Sequence, residues 1–224
     1  MIKMKHIALA SVLLIASLAV NGQERDFQSW YTLGASYRIT ERIKAEFENE
    51  TRFRENSSLL YRNQFDVGGE YKINNNLETG LFYRFVADEP MYSDYSCFHR
   101  FYIQITYTWK PKRFELISRL RLASDAEDSE AFSDAFGGGI HREKLTLRYN
   151  IRKTSFTPYI AGEIFFPVRS YNHYLQKYRL FAGFTYRLNK ANRIGMSIMY
   201  QHRYGDKNQS SQTAILVDYS IRIK

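Results

Sequence analysis

Between Ile43 and Arg54 the chain reads IKAEFENETRFR. Lys44, Glu46, Glu48, Glu50, Arg52 and Arg54 take every even position, and Ile43, Ala45, Phe47, Thr51 and Phe53 take odd ones. Successive strand residues face opposite sides, so the spacing predicts a strand with one charged face and one largely apolar face. The alternation recurs along the chain. Residues 27–39 put Phe27, Tyr31, Leu33, Ala35, Tyr37 and Ile39 on one face. Residues 60–73 set Tyr61, Phe65, Val67, Tyr71 and Ile73 against Arg62, Gln64, Asp66, Glu70 and Lys72. Segments 77–85, 98–109, 114–123, 140–152, 158–166, 178–188, 194–204 and 213–224 repeat the pattern, which makes about eleven strands. Helical periodicity fits none of them as well, and their Val, Ile, Thr, Tyr and Phe favour strands.

Most of these runs extend well beyond the roughly 5–6 residues of an average soluble strand. They match the about 9–11 tilted residues that cross an outer membrane. The connections TER, NNN, KPKR, KTSFT and NKAN are short, whereas 88–97, 124–139, 167–177 and 205–211 are longer and polar. Short turns at one end and long loops at the other predict an all-β fold, an antiparallel transmembrane β-barrel of 10–12 strands with loops 88–97 and 124–139 outside. Its charged faces would line the lumen and its apolar faces would meet lipid. Tyr37, Trp109, Phe114, Tyr186 and Tyr219 would sit at the membrane interfaces. Hairpin register is expected to pair Lys72 with Glu78 and Asp66 with Arg84 across NNN, Gln104 with Arg119 across KPKR, and Arg148 with Glu163 across KTSFT. Eleven strands conflict with the even count that keeps both termini periplasmic. Either one segment is misread, or residues before Trp30 thread through or beneath the lumen.

The N-terminus MIKMKHIALASVLLIASLAVNGQ has Lys3 and Lys5, then an apolar run from about Ile7 to Val20, then Gly22. That order predicts a secretory signal peptide over residues 1–22, export by the Sec pathway to the outer membrane, and a single barrel domain over 23–224. The formal net charge is +9, with basic residues dispersed along strands and not gathered into an arm, which argues against a nucleic-acid partner. Cys97 is alone, so no intramolecular disulfide frames the fold.

Several motifs recur in a recognisable order: W-x-x-L-G-x-x-Y (Trp30 to Tyr37), E-F-E-N-E-x-R-F (Glu46 to Phe53) and Y-R-x-x-x-x-x-G-x-x-Y (Tyr61 to Tyr71). After them come G-L-F-Y-R-F (Gly80 to Phe85), S-R-L-R-L (Ser118 to Leu122), P-Y-x-x-x-E-x-F-F (Pro158 to Phe166) and R-x-x-x-G-x-x-Y-x-L (Arg179 to Leu188). In these the chain resembles the uncharacterised Gram-negative outer-membrane family catalogued as domain of unknown function 2490. The resemblance implies a β-barrel and assigns no activity. Outer-membrane barrels commonly finish on an aromatic residue, whereas this chain ends Ile221, Arg222, Ile223, Lys224.

The inward faces collect a set of charges expected to form a network in the lumen: Glu46, Glu48, Glu50, Arg52, Arg62, Asp66, Arg84, Arg100, Arg119, Arg121, Arg148, Glu163, Arg179 and Arg187. With Phe82, Tyr102 and Phe181 they would largely fill a narrow barrel, and the arginine excess would bias any passage toward small anions. The expected partners are outer-membrane lipids, lipopolysaccharide among them, and the barrel-assembly machinery. No cofactor or metal motif emerges: Gly137 to Gly139 lacks the lysine of a phosphate loop, and Asp125 to Glu130 lacks EF-hand spacing. The function expected is a channel, binding or structural role. The alternative is a lipid A or phospholipid hydrolase at the outer rim, where His99, His141 and His202 fall on outward positions with Cys97, Ser93 and Ser96 near the first.

Overall fold

Eleven long alternating segments become eleven long strands. The computed structural model describes residues 26–89, 96–124, 126–127, 139–168, 175–204 and 210–223. The strands are β1 (Asp26–Arg38), β2 (Ile43–Arg54), β3 (Leu59–Lys72), β4 (Leu77–Asp88), β5 (Ser96–Trp109), β6 (Phe114–Ala123), β7 (Ala126–Glu127), β8 (Ile140–Tyr149), β9 (Phe156–Pro167), β10 (Lys177–Arg187), β11 (Asn192–Arg203) and β12 (Ser210–Arg222). No helix occurs among the described residues. The two-residue β7 extends the β6 side of the ladder along β5, and β6 then pairs directly with β8.

Every consecutive long strand pairs antiparallel, and the wall shuts where β1 meets β12 in parallel, from Asp26↔Gln212 to Ser36↔Arg222. This parallel seam replaces the even-numbered closure. With an odd number of long up-and-down strands the first and last run the same way, so only parallel pairing can complete the ring. No segment was misread. β1 instead starts at the end that carries the longer loops, and the residues before it, including the expected signal peptide, lie outside the described residues.

The short turns share a local device. Asn74 Oδ1 accepts the amides of Asn76 (2.8 Å) and Leu77 (2.9 Å), and Asn189 Oδ1 accepts those of Ala191 (2.9 Å) and Asn192 (2.8 Å). Thr40 Oγ1 does the same for Arg42 (3.2 Å) and Ile43 (2.9 Å). Such side chains substitute for a backbone acceptor and set the turn.

The register expected across NNN is present, with Lys72↔Glu78 and Asp66↔Arg84. The other two are corrected. Gln104 opposes Arg121, and Arg148 opposes Tyr159 while Lys144 opposes Glu163. The turns at these hairpins contain left-handed residues, Lys112 (φ 55°) and Lys153 (φ 60°), which lengthen the connection beyond a minimal loop. Both shifts are even-numbered, so every side chain keeps its face.

The outward face is apolar: Leu33, Val67, Leu81, Ile103, Leu145, Ile160 and Leu180 are all exposed. Aromatic rings band both ends of that face. Tyr37, Trp109, Phe114, Tyr186 and Tyr219 lie toward the short turns; Tyr178, Tyr200, His202 and Tyr204 cluster toward the loops.

Candidate functional site

The inward face carries the polar chemistry. Val86, Met199, Phe165, Gln28 and Gln201, on the loop side, are buried together with the layer beneath them. In that layer guanidinium groups stack on rings. Arg52 lies 3.8 Å and Arg179 5.1 Å from the Trp30 ring; Arg179 and Arg142 lie 4.9 and 4.7 Å from Phe165. Across the barrel Arg121 and Arg84 stack on Tyr102 at 4.0 and 5.3 Å, and Tyr102 stacks on Phe82 at 4.9 Å. Desolvated guanidinium planes gain from such faces about 0.5–2 kcal/mol each. Gly68 makes room for this packing, because a Cβ there would run into the Phe82 ring on the neighbouring strand.

Carboxylates neutralise part of the layer. Arg84 grips Asp66 through two bonds of 2.5 Å, Nε to Oδ1 and Nη2 to Oδ2. Arg52 donates from Nε to Glu50 (2.5 Å), which also accepts from Gln64 (2.8 Å). Glu163 meets Arg142 at 2.7 Å and Arg119 and Arg179 at 3.6 Å. Arg121 donates to Gln104 (2.8 Å), which donates to Glu70 (2.6 Å). Lys44 bridges Glu46 (2.6 Å) and Glu70 (2.7 Å). Arg62 pairs with Asp88 nearer the loops, and Arg148 with Glu115 (3.3 Å) nearer the turns. Arg100 opposes Arg84 on β5, and Arg187 lies exposed at the turn end of β10, opposite Arg193. Glu48 makes no ion pair among the described residues.

Beneath this packed layer the lumen opens into a cavity of about 1160 Å³ that reaches the short-turn end, with Arg42, Asn74 and Arg222 at its rim. The expectation of a largely filled lumen is therefore corrected for the turn side, where the cavity lies. The large stacked side chains concentrate on the loop side of Trp30 and Tyr102, while small residues such as Gly34, Ser36, Ser197 and Ser220 face the lumen on the turn side. Among the lining residues fourteen are Arg or Lys and nine Asp or Glu. They are unevenly placed. β6 and β8–β11 contribute seven cations, among them Arg119, Lys144 and Arg193, and one carboxylate, Glu163. β2–β4 contribute Glu46, Glu48, Glu50, Asp66, Glu70 and Glu78 with four cations. Lys144, Arg142 and Trp30 were not singled out from the sequence, although all share the parity of inward residues on their strands; Lys44 and Glu70 lay on faces expected to line the lumen without being counted in the network.

The histidines stay on the outward face. Tyr83 Oη lies 2.5 Å from His99 Nδ1, and His141 Nε2 lies 3.3 Å from Glu143. His202 Nδ1 lies 3.1 Å from Ser211 Oγ, which also meets Tyr200 Oη at 3.1 Å. His202 and Ser211 lie within the aromatic rim of Tyr178, Tyr200 and Tyr204, and no carboxylate is hydrogen-bonded to His202 among the described residues. Cys97 is exposed at the start of β5. Ser93, most of Asp125–Glu130, Gly137 and Gly138 lie outside the described residues. Among the described residues no three His, Cys, Asp or Glu side chains converge as metal ligands would.

The family model described as protein of unknown function (DUF2490) matches residues 27–212. The chain belongs to that family. A comparison with curated proteins returns no match. Among solved structures the DUF2490 chain is similar to the NanC porin, with 14% sequence identity and a TM-score of 0.53 over 88% of this chain and 99% of that one. At that identity the likeness is one of fold, a closed β-barrel.

Proposed function

We propose that the protein is an outer-membrane barrel, exported through its N-terminal signal peptide by the Sec pathway. In this reading its lumen is a vestibule open toward the periplasm and biased toward small anions. The observation that carries this is the cavity wall, rich in Arg and Lys, lying below a packed guanidinium–aromatic layer. The apolar outward face with aromatic bands at both ends supports a lipid surround, including lipopolysaccharide on the loop side. Delivery then falls to the barrel-assembly machinery. The layer at Trp30, Arg52 and Arg179 restricts any passage. No catalytic step is needed for this role.

Planar-bilayer recording of the purified barrel tests the reading. The expected result is small, anion-preferring conductance or silence. Large, stable, unselective conductance would overturn the restricted vestibule. Phospholipid hydrolysis abolished by His99→Ala or His202→Ala would replace it with an enzyme.

A further inference from the structure

The cavity places a cationic strip beside an apolar one. On β8, Lys144 makes no ion pair among the described residues, and its ammonium lies 4.1 Å from the Phe181 ring centroid. Beside it Glu163 is divided among Arg142, Arg119 and Arg179, and Asp218 of β12 lines the same cavity with no ion pair among the described residues. The Nε–H groups of Arg121, Arg142 and Arg148 are buried without a hydrogen-bond partner. On the adjoining strands Tyr159 and Leu216, half-buried against the Trp30 and Phe181 cluster, add apolar surface to the same cavity. Register fixes the adjacency, since Arg148 opposes Tyr159, and Thr146 and Phe181 both oppose Ala161.

The facing wall differs. There Glu46 and Glu70 share Lys44, Glu50 holds Arg52, and Asp66 holds Arg84. Glu48 and Glu78 on that wall have no ion pair among the described residues, yet over the whole lining cations outnumber carboxylates fourteen to nine, which favours an anion over an organic cation. A bare inorganic anion would leave Tyr159 and Leu216 in water, forgoing the gain of covering them.

We propose that the cavity binds a small amphiphilic organic anion, its carboxylate or phosphate held by Lys144, Arg119 and Arg148 and its apolar or ring face laid on the half-buried Tyr159 and Leu216, which pack against Trp30. This deepens the anion-biased vestibule and rests on it. Charge-assisted bonds to guanidinium supply direction, and the strip supplies affinity in proportion to the apolar area covered.

Trp30 is a built-in reporter. The chain has two tryptophans, and the other, Trp109, stands on the outward face. In the Trp109→Phe barrel, folded in detergent, Trp30 fluorescence is followed during titration with benzoate, inorganic phosphate and benzylammonium, with calorimetry on the unaltered protein in parallel. Benzoate should give a saturable change, and the other two should bind at least about tenfold more weakly. Lys144→Gln should weaken benzoate binding about tenfold while heat-modifiable gel migration is retained, with Arg119→Gln as the second variant should the first misfold. Equal affinity for benzylammonium or for phosphate, no saturable benzoate signal, or benzoate affinity indifferent to both substitutions would overturn the proposal. A wide unselective pore in the bilayer would overturn the vestibule itself, and that result is read independently of benzoate titration.

Discussion

At the scale of single residues, the Asp66–Arg84 pair shows how the lumen tolerates charge away from water. Both side chains are about nine-tenths hidden, at 7% exposure each, and the fork geometry satisfies both carboxylate oxygens. Removing one partner strands the other, so Asp66→Ala should cost about 3–5 kcal/mol in urea unfolding from detergent or lipid, whereas Asp66→Leu with Arg84→Met should cost far less. Glu163 is the second test. With Glu163→Gln, Arg142, Arg119 and Arg179 lose their shared carboxylate, so any conductance should become more anion-selective, measured as reversal potential in a salt gradient. Parity along the strands was enough to place Arg52, Asp66, Arg84, Glu163 and Arg179 in the lumen. It was not enough to single out Lys144. What distinguishes Lys144 from Arg142 is the lack of an ion pair, and that depends on which side chains arrive from β6, β9 and β10.

Among the elements, strands were readable because most segments alternate over 10 or more residues, as in β2 and β5. Registers were readable only where the turn is minimal. Asn74 closes the β3–β4 hairpin with two side-chain bonds, and its register followed from sequence; the hairpins through Lys112 and Lys153 spend extra residues with positive φ and slip by an even step. Replacing Asn74 or Asn189 with Ala should cost on the order of 1 kcal/mol each in the same unfolding assay, while Asn75→Ala, whose exposed side chain has no such bond among the described residues, should leave stability unchanged. Gly68 carries a different constraint. Gly68→Val would drive a side chain into the Phe82 ring and unstack it from Tyr102, with a loss of about 1–3 kcal/mol, and Phe82→Ala in the same chain should relieve part of it.

For the whole molecule, neither the one-ended cavity nor the division of charge between walls could be read from single segments. Both arise from which strands the closed wall sets opposite each other. The proposed orientation is checked by single cysteines in a Cys97→Ala background. Labels on intact cells should reach Ser58→Cys, exposed at the loop end, and miss Lys190→Cys, at the turn end; the reverse pattern would invert the barrel. The β1–β12 seam also has a consequence in time. Residues around 26 are the earliest of the barrel to leave the ribosome, and their partners around 212 are nearly the last. The wall therefore cannot shut while synthesis is under way, and β1 must wait with one unpaired edge until β12 arrives. A holding partner that masks this edge during transit would be released only by the chain's own final strand.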